Sequence, residues 1–308
     1  QFMSITQIFG SDFSADEKSV LITSKASGVL NAYSINIETG EQTQLTHSSE
    51  NAIIARSYFP SDNRIIYTSD QGGNELAHLY IKNMEGNVID LTPDSAKASY
   101  YGWNHSKTAI YWSSNKRDPR YFDMYRTAVR GASVKESEFQ TEKLYTNNDG
   151  FTPATISDDE RYIALSERLT TSDANIHLLD TQTGDLQLIT PHNGEVINEP
   201  QFFSKDNNTL YFTTDIDSEF TYLVSYDITT QKQKVEQKAK WDINYAYLSY
   251  NGAYLITGIN NDASTKIIIQ DTQSKEIITI PDLPEGDISS VNISDREMQM
   301  AVCLTYPE

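Results

Sequence analysis

An all-β β-propeller of four-stranded blades, seven in number with the last one incomplete, is the fold this sequence predicts. Three observations carry that reading: a short motif that returns seven times, a second turn motif inside each repeat, and a composition rich in strand formers. The first motif is an apolar residue, a Ser-x-Asp-like turn and an apolar strand. It reads FSADEKSVLITS from Phe13, FPSDNRIIYTS from Phe59, WNHSKTAIYWSS from Trp103, ISDDERYIALSE from Ile156, FSKDNNTLYFTT from Phe203, LSYNGAYLITG from Leu248 and ISDREMQMAVCL from Ile293. The residue after each leading apolar one falls at positions 14, 60, 104, 157, 204, 249 and 294, so the spacings are 46, 44, 53, 47, 45 and 45. Periods of this length belong to propeller blades.

The second motif closes another hairpin. In NAYSINIETGEQTQLT and NIHLLDTQTGDLQLIT, Asn36 or Asp180 stands four residues before Gly40 or Gly184. Asn and Asp side chains bond their own turn backbone, and Gly takes a left-handed position without strain. Asp227 and Asp271 repeat the first element, while Gln231 and Lys275 stand where Gly is expected. Each repeat therefore supplies four strands, here called a to d. Radial repetition of such sheets protects their edges. Because strands alternate direction, turns a–b and c–d share one end of a blade, and connections b–c and d–a share the other. The 19 Tyr residues fit this reading, since aromatic residues favour strands.

The expected organisation is one propeller domain over 1–308, with blades starting near 8, 53, 98, 151, 198, 243 and 288. In the last repeat only strands a and b precede Glu308. Two missing strands leave an open edge, which proteins rarely tolerate. Residues 1–7, with Phe2, Met3 and Ile5, are expected to pair with blade seven or lie against it.

Charge and composition exclude several function classes. There are 24 Lys and Arg against 43 Asp and Glu, a net charge of −19. Such a surface repels phosphate backbones and anionic lipid, so neither nucleic acid nor membrane is an expected partner. No apolar run approaches the ~20 residues of a membrane helix. The single cysteine, Cys303, permits no internal disulfide. The chain opens at Gln1 without an initiator Met, and no signal peptide is expected within it. A trimmed start leans towards a bacterial periplasmic or envelope setting, although a cloning boundary accounts for it equally.

Catalytic and metal motifs are missing. No two glycines stand four apart around a serine, so the G-x-S-x-G elbow of an α/β-hydrolase is absent. No H-E-x-x-H, C-x-x-C or Gly-Lys pair occurs, so neither those zinc sites nor a P-loop is expected. The five histidines, His47, His78, His105, His177 and His192, are spread among different repeats and read as surface or turn residues. The acidic run Asp215, Asp217 and Glu219 lacks the twelve-residue loop of a calcium site. No cofactor or metal is expected, and the chain alone is not expected to be an enzyme.

Several stretches outside the repeated motifs carry a family resemblance: TSDQGGNELAHLYI (68–81), SSNKRDPRYFDMYR (113–126), LITPHNGEV (188–196), TTDIDSEFTYLVSYDI (213–228), KWDINYAYLSYNGAYL (240–255) and IPDLPEGDISSV (280–291). They resemble, in order and over nearly the whole chain, the N-terminal propeller of the prolyl oligopeptidase family of serine peptidases. One departure is Asn260–Asn261–Asp262–Ala263, where relatives often carry Asn-Asp-Gly. The resemblance implies a non-catalytic propeller that docks on a C-terminal α/β-hydrolase domain absent from this chain and gates the access of peptide substrate. A freestanding protein-interaction propeller of the TolB type is the alternative, because the repeats alone fit both. Three of the family-like stretches cover b–c connections, Asp70 to Leu76 in blade two, Asn115 to Tyr121 in blade three and Asp215 to Phe220 in blade five, on the face that the b–c and d–a connections share. Glu75 and Arg117 are therefore the leading candidates for reaching substrate or the partner domain, with Asp70, Asp118, Arg120 and Glu219 beside them. A carboxylate there suits a peptide's free amine, and a guanidinium grips a carboxylate or carbonyl with two donors. Both side chains are equally suited to bracing their own loops.

Overall fold

The computed structural model describes residues 7–129, 139–262, 264–284 and 286–306, the side chain of Ser11 apart. These residues form an all-β propeller with six four-stranded blades and two strands of a seventh, and no helix occurs among them. Blade one is β1 (Ile8–Phe13), β2 (Ser19–Ser24), β3 (Asn31–Asn36) and β4 (Gln42–Gln44). Blade two is β5 (Ile53–Tyr58), β6 (Ile65–Ser69), β7 (His78–Lys82) and β8 (Val88–Asp90). Blade three is β9 (Ala98–Trp103), β10 (Ala109–Asp118), β11 (Tyr121–Val129) and β12 (Phe139–Tyr145). Blade four is β13 (Thr152–Ile156), β14 (Tyr162–Arg168), β15 (Ala174–Asp180) and β16 (Leu186–Leu188). Blade five is β17 (Asn198–Phe203), β18 (Thr209–Thr214), β19 (Tyr222–Asp227) and β20 (Gln233–Gln237). Blade six is β21 (Ile243–Leu248), β22 (Tyr254–Asn261), β23 (Ser264–Asp271) and β24 (Ile277–Ile278), and β25 (Asp287–Ile293) pairs with β26 (Met300–Thr305).

Every blade is an antiparallel meander in chain order. The chain divides into two compact units. One comprises 1–146 with 289–294 and 299–308, and the other 147–288 with 295–298. In the first unit, apolar clusters fill the space between neighbouring blades: Leu21, Ala32, Tyr58, Ile65 and Tyr67 join blades one and two, and Phe59, Ile66, Leu79, Ile110 and Trp112 join two and three. In the second unit, Ile176, Leu178, Leu210, Phe212 and Val224 join blades four and five, while Phe202, Leu223, Ile243 and Ala246 join five and six. The outer strands β4, β8, β16 and β24 are only two or three residues long and are exposed or half-buried. Short outer strands limit the edge open to foreign pairing.

Polar contacts one repeat apart reinforce this packing. In the first unit, Asp12 Oδ2 accepts from Ser57 Oγ at 2.9 Å and from the Tyr58 amide at 2.7 Å. Ser57 Oγ in turn accepts from Trp103 Nε1 at 2.9 Å. In the second unit, Gln201 Oε1 accepts from the Ala246 amide at 2.9 Å.

The recurrent turns do what their residues require. In the a–b turns, the amides of Ser19, Tyr162, Thr209 and Tyr254 donate to the hydroxyls of Ser14, Ser157, Ser204 and Ser249. Those of Ser14, Ser157 and Ser204 donate onward to Asp16, Asp159 and Asp206. In the c–d turns, Asn36, Asp180, Asp227 and Asp271 each accept from turn amides two or three residues on. Gln231 and Lys275 adopt φ of 58° and 63°, close to the 71° and 79° of Gly40 and Gly184.

The a–b and c–d turns are expected to be short and nearly uniform and the b–c connections longer and individual; the structure shows the contrast in uniformity, but not every b–c connection is longer. Five residues lie between strands a and b in blades one, three, four, five and six, and between c and d in blades one, two, four, five and six. The b–c connections run from two residues in blades three and six, where the strands themselves lengthen, to eight in blade two. The expected pairing of residues 1–7 with blade seven falls mainly on residues 1–6, outside the described ones. The next segment, β1, pairs with β2 and lies against β26, with Cys303 Sγ 3.7 Å from the Ile8 carbonyl oxygen.

Two stability outcomes follow. Gln231→Gly and Lys275→Gly each raise unfolding free energy by about 1 kcal/mol, because Gly occupies the left-handed region without a Cβ penalty. Ser57→Ala lowers it by about 1–3 kcal/mol, since it removes the group between Asp12 and Trp103 inside a packed interface. Urea unfolding of each variant against the parent chain measures both, and an unchanged Ser57→Ala midpoint refutes the second.

Candidate functional site

In the first unit, the b–c connection of blade two leaves β6 at Ser69 and returns at His78. Three residues in it are left-handed, Gly72 at φ 62°, Gly73 at 76° and Glu75 at 62°. Side-chain acceptors hold that path. Asp70 Oδ2 accepts from the Glu75 amide at 3.0 Å, Asn51 Oδ1 from Gly72 at 2.8 Å, and Asn74 Oδ1 from Leu76 at 3.0 Å. Asp70 is thereby a brace. The Glu75 side chain is exposed and has no partner among the described residues.

In blade three the b–c connection is the tip of a long hairpin, β10–β11. Arg117 points back along it: Nε donates to Asp123 Oδ2 at 2.7 Å and Nη2 to Oδ1 at 2.8 Å. Asp123 is fully buried, whereas the Arg117 side chain is one-third exposed. The Lys143 ammonium lies 3.7 Å from the same carboxylate. Hydrogen bonding to Asp123 holds the Arg117 guanidinium above its ordinary value. Burial, and then the Asp123 charge, push the Tyr125 phenol up. At the tip, Asp118 receives the Arg120 side chain at 2.8 Å and the Arg120 amide at 3.0 Å, which bring its carboxyl down to about 2. Arg120 also lies 5.0 Å over the Tyr121 ring. The Lys116 ammonium stands 4.6 Å from the Tyr125 ring and 3.6 Å from Asp94.

In the second unit, the b–c connection of blade five folds on itself. Asp215 Oδ1 accepts from the Ile197 amide at 2.8 Å, Ser218 Oγ donates to the Phe220 carbonyl at 2.8 Å, and Tyr222 Oη donates to Ile216 O at 3.1 Å. Glu219 is exposed and has no partner among the described residues. Among those residues no group of three or more His, Cys, Asp or Glu side chains is gathered for a metal ion.

The six sequence-derived residues thus differ in what they touch. Asp70 braces a loop, Asp118 and Arg120 grip each other, Arg117 holds Asp123, and Glu75 and Glu219 face solvent. Sequence reasoning did not name Asp123 or Lys143. It also placed the histidines at surfaces and turns, and three of them are instead half-buried or buried partners of carboxylates: His78 with Asp90 at 2.8 Å, His177 with Glu167 at 2.9 Å and His192 with Asp173 at 2.9 Å. An acid close by on the paired strand was the available signal for the first two.

Four-stranded antiparallel blades repeated in chain order define a β-propeller. The chain belongs to the family of the prolyl oligopeptidase N-terminal β-propeller domain, whose profile matches residues 46–305. No curated protein sequence matches it. Among solved structures, it is similar to a prolyl endopeptidase from a study of inter-domain dynamics in catalysis and specificity. The two are 12% identical with a TM-score of 0.65, covering 94% of this chain and 45% of that one. An oligogalacturonate lyase in complex with manganese is 14% identical with a TM-score of 0.65, covering 97% of this chain and 88% of that one. TolB from Acinetobacter baumannii is 18% identical with a TM-score of 0.48, covering 74% and 53%. At these identities the likenesses to the prolyl endopeptidase and the lyase speak for the fold alone. The chain spans about half the length of TolB and of the prolyl endopeptidase.

The Arg117–Asp123 pair predicts a sharp contrast between two carboxylates of one hairpin. Asp123→Asn leaves the Arg117 and Lys143 cations beside a neutral amide and lowers the melting temperature by several degrees. Asp118→Asn, which loosens only the Arg120 tip, leaves it nearly unchanged. Thermal unfolding of both variants at neutral pH is the measurement, and equal melting temperatures overturn the contrast.

Proposed function

We propose that this chain is the non-catalytic propeller of a prolyl oligopeptidase-like serine peptidase, docking on an α/β-hydrolase domain and restricting its substrates to short or unfolded peptides. The observation that carries the reading is the family match over residues 46–305. Loop architecture supports it: the variable b–c connections sit on rigid sheets, where binding residues concentrate.

In this reading the b–c ends of blades two and three face the catalytic domain. Glu75 offers an exposed carboxylate on a loop fixed by Asp70, Asn51 and Asn74. Such a group receives a peptide's free amine or an arginine of the hydrolase domain. Arg117 is preorganised by Asp123, so little side-chain entropy is lost when its exposed part meets a carbonyl or carboxylate. In blade five, Glu219 is the corresponding exposed acid.

The parent peptidase supplies the test. Its reading frame beyond residue 308 is expected to hold G-x-S-x-G followed by Asp and His. In that full-length enzyme, Glu75→Gln retains the parent melting temperature and lowers kcat/KM on short peptides at least about tenfold. Arg117→Met lowers both. If kcat/KM per folded molecule stays within about twofold for both variants, the substrate role is wrong. The isolated chain is expected to leave aminoacyl and prolyl chromogenic substrates intact and to resist a fluorophosphonate probe. Stoichiometric serine labelling overturns the non-catalytic assignment.

A further inference from the structure

His192 lies in the d–a connection after blade four, and its side chain is only 6% exposed. Its two ring nitrogens both face oxygen. Nε2 is 2.9 Å from Asp173 Oδ1, and Nδ1 is 2.9 Å from the Thr190 carbonyl oxygen. A carbonyl oxygen and an ionised carboxylate only accept hydrogen bonds, so both contacts are made only when both nitrogens carry protons. The two short oxygen contacts favour the imidazolium, against one longer contact of 3.5 Å from Asn198 Nδ2 that suits an unprotonated Nδ1.

The groups around the ring come from each neighbouring element. The b–c connection of blade four contributes Asp173, and that of blade five contributes the Asp215 charge. Asn198, on β17, stands with Nδ2 3.5 Å from the ring Nδ1 and donates to the Ala174 carbonyl at 3.0 Å. Within the ring's own connection, Glu195 is engaged by Ser172 Oγ at 2.9 Å. Burial alone opposes the charged ring. The Thr190 carbonyl and then Asp173 outweigh it, holding the imidazole above its ordinary value.

The backbone on either side of this contact is tied to it. The Asp173 carbonyl accepts from the amides of Leu169 and Thr170, closing the b–c turn of blade four. The Ala174 amide donates to the Val196 carbonyl at 2.9 Å, and Ala174 bridges Ile197 in parallel. The Ile197 amide is in turn held by Asp215.

We propose that His192 is a proton-operated latch that clamps the b–c connection of blade four, residues 169–173, to the connection 190–197 leading into blade five. Loss of the proton sets a nitrogen lone pair against an oxygen at hydrogen-bond distance and leaves the mostly buried Asp173 carboxylate without its cation. A group whose value is raised on folding stabilises fully below its unfolded value, and that stabilisation fades as pH rises through the folded value. The latch is closed in mild acid and opens above the ordinary histidine range. It involves neither Glu75 nor Arg117 and stands whether or not the peptidase reading holds.

The chain itself supplies the test. The His192 ring resonance, identified by its loss in His192→Gln, is followed against pH, and amide hydrogen exchange is read in 169–173 and 190–197. The titration midpoint is expected above the ordinary histidine value of about 6.5. After correction for intrinsic rates, protection of both segments is expected to be about tenfold greater near pH ~6 than near pH ~8.5, and insensitive to pH in His192→Gln. Asp173→Asn keeps the ring and the amide-sized volume, and should bring the midpoint down; it also serves if His192→Gln does not fold. A midpoint at or below the ordinary value, or the same loss of protection in the variants, overturns the latch.

Discussion

Each blade of this protein must bury both faces of a thin sheet against its neighbours, and that constraint governs what every other part of the chain is free to do. A four-stranded antiparallel sheet has no core of its own. The clusters around Phe59, Ile66 and Trp112 in the first unit and around Phe212 and Val224 in the second exist only because two blades supply them jointly. Apolar burial of this kind is strong but non-directional. The Asp12–Ser57–Trp103 contacts add direction: donor and acceptor meet only when successive blades are at the correct height. A slip of one blade against the next orphans buried polar groups, which costs more than any single bond returns.

The same constraint divides the two ends of a blade. Five-residue turns capped by Ser or Asp recur because the stacked sheets demand hairpins of equal reach. Even Gln231 and Lys275 accept left-handed strain to keep that reach. The opposite end is free of the requirement, so its connections differ in length and chemistry. There, conformations are held by side chains of the loops themselves: Asp70 and Asn74 in blade two, Asp118 in blade three, Asp215 and Ser218 in blade five.

That division explains what could be read in the sequence. Turn chemistry is local, so the seven repeats, the strand order within each and the left-handed Gln231 and Lys275 were all legible from spacing. The Arg117–Asp123 pair was not, and the reason is register. Counting outward from the Asp118–Tyr121 pair sets Arg117 opposite Phe122, and Asp123 on the other face. The register shifts between Ser114 and Asp118, where three residues of β10 stand against one of β11, so the regular alternation is interrupted at Arg117. A bulge of this kind re-aims a side chain without a signal in the sequence. His192 and Asp173 were hidden differently. They lie nineteen residues apart in two irregular connections, where neither strand nor helix periodicity operates.

Net charge adds the last consideration. In a chain of net charge −19, cations are scarce, and blade three gathers several: Lys116, Arg117, Arg120, Arg126 and Lys143. Each lies close to a carboxylate, namely Asp94, Asp123, Asp118, Glu142 and again Asp123. Isolated surface pairs add little stability, because solvent screens them and long side chains lose entropy. Asp123 differs, since its carboxylate is fully buried beside Arg117 and Lys143, and removing either partner of such a buried pair is costly. Two cations, Arg117 of the hairpin and Lys143 of β12, thus share one buried anion. Asp123 therefore sets where the Arg117 guanidinium stands on the β10–β11 hairpin.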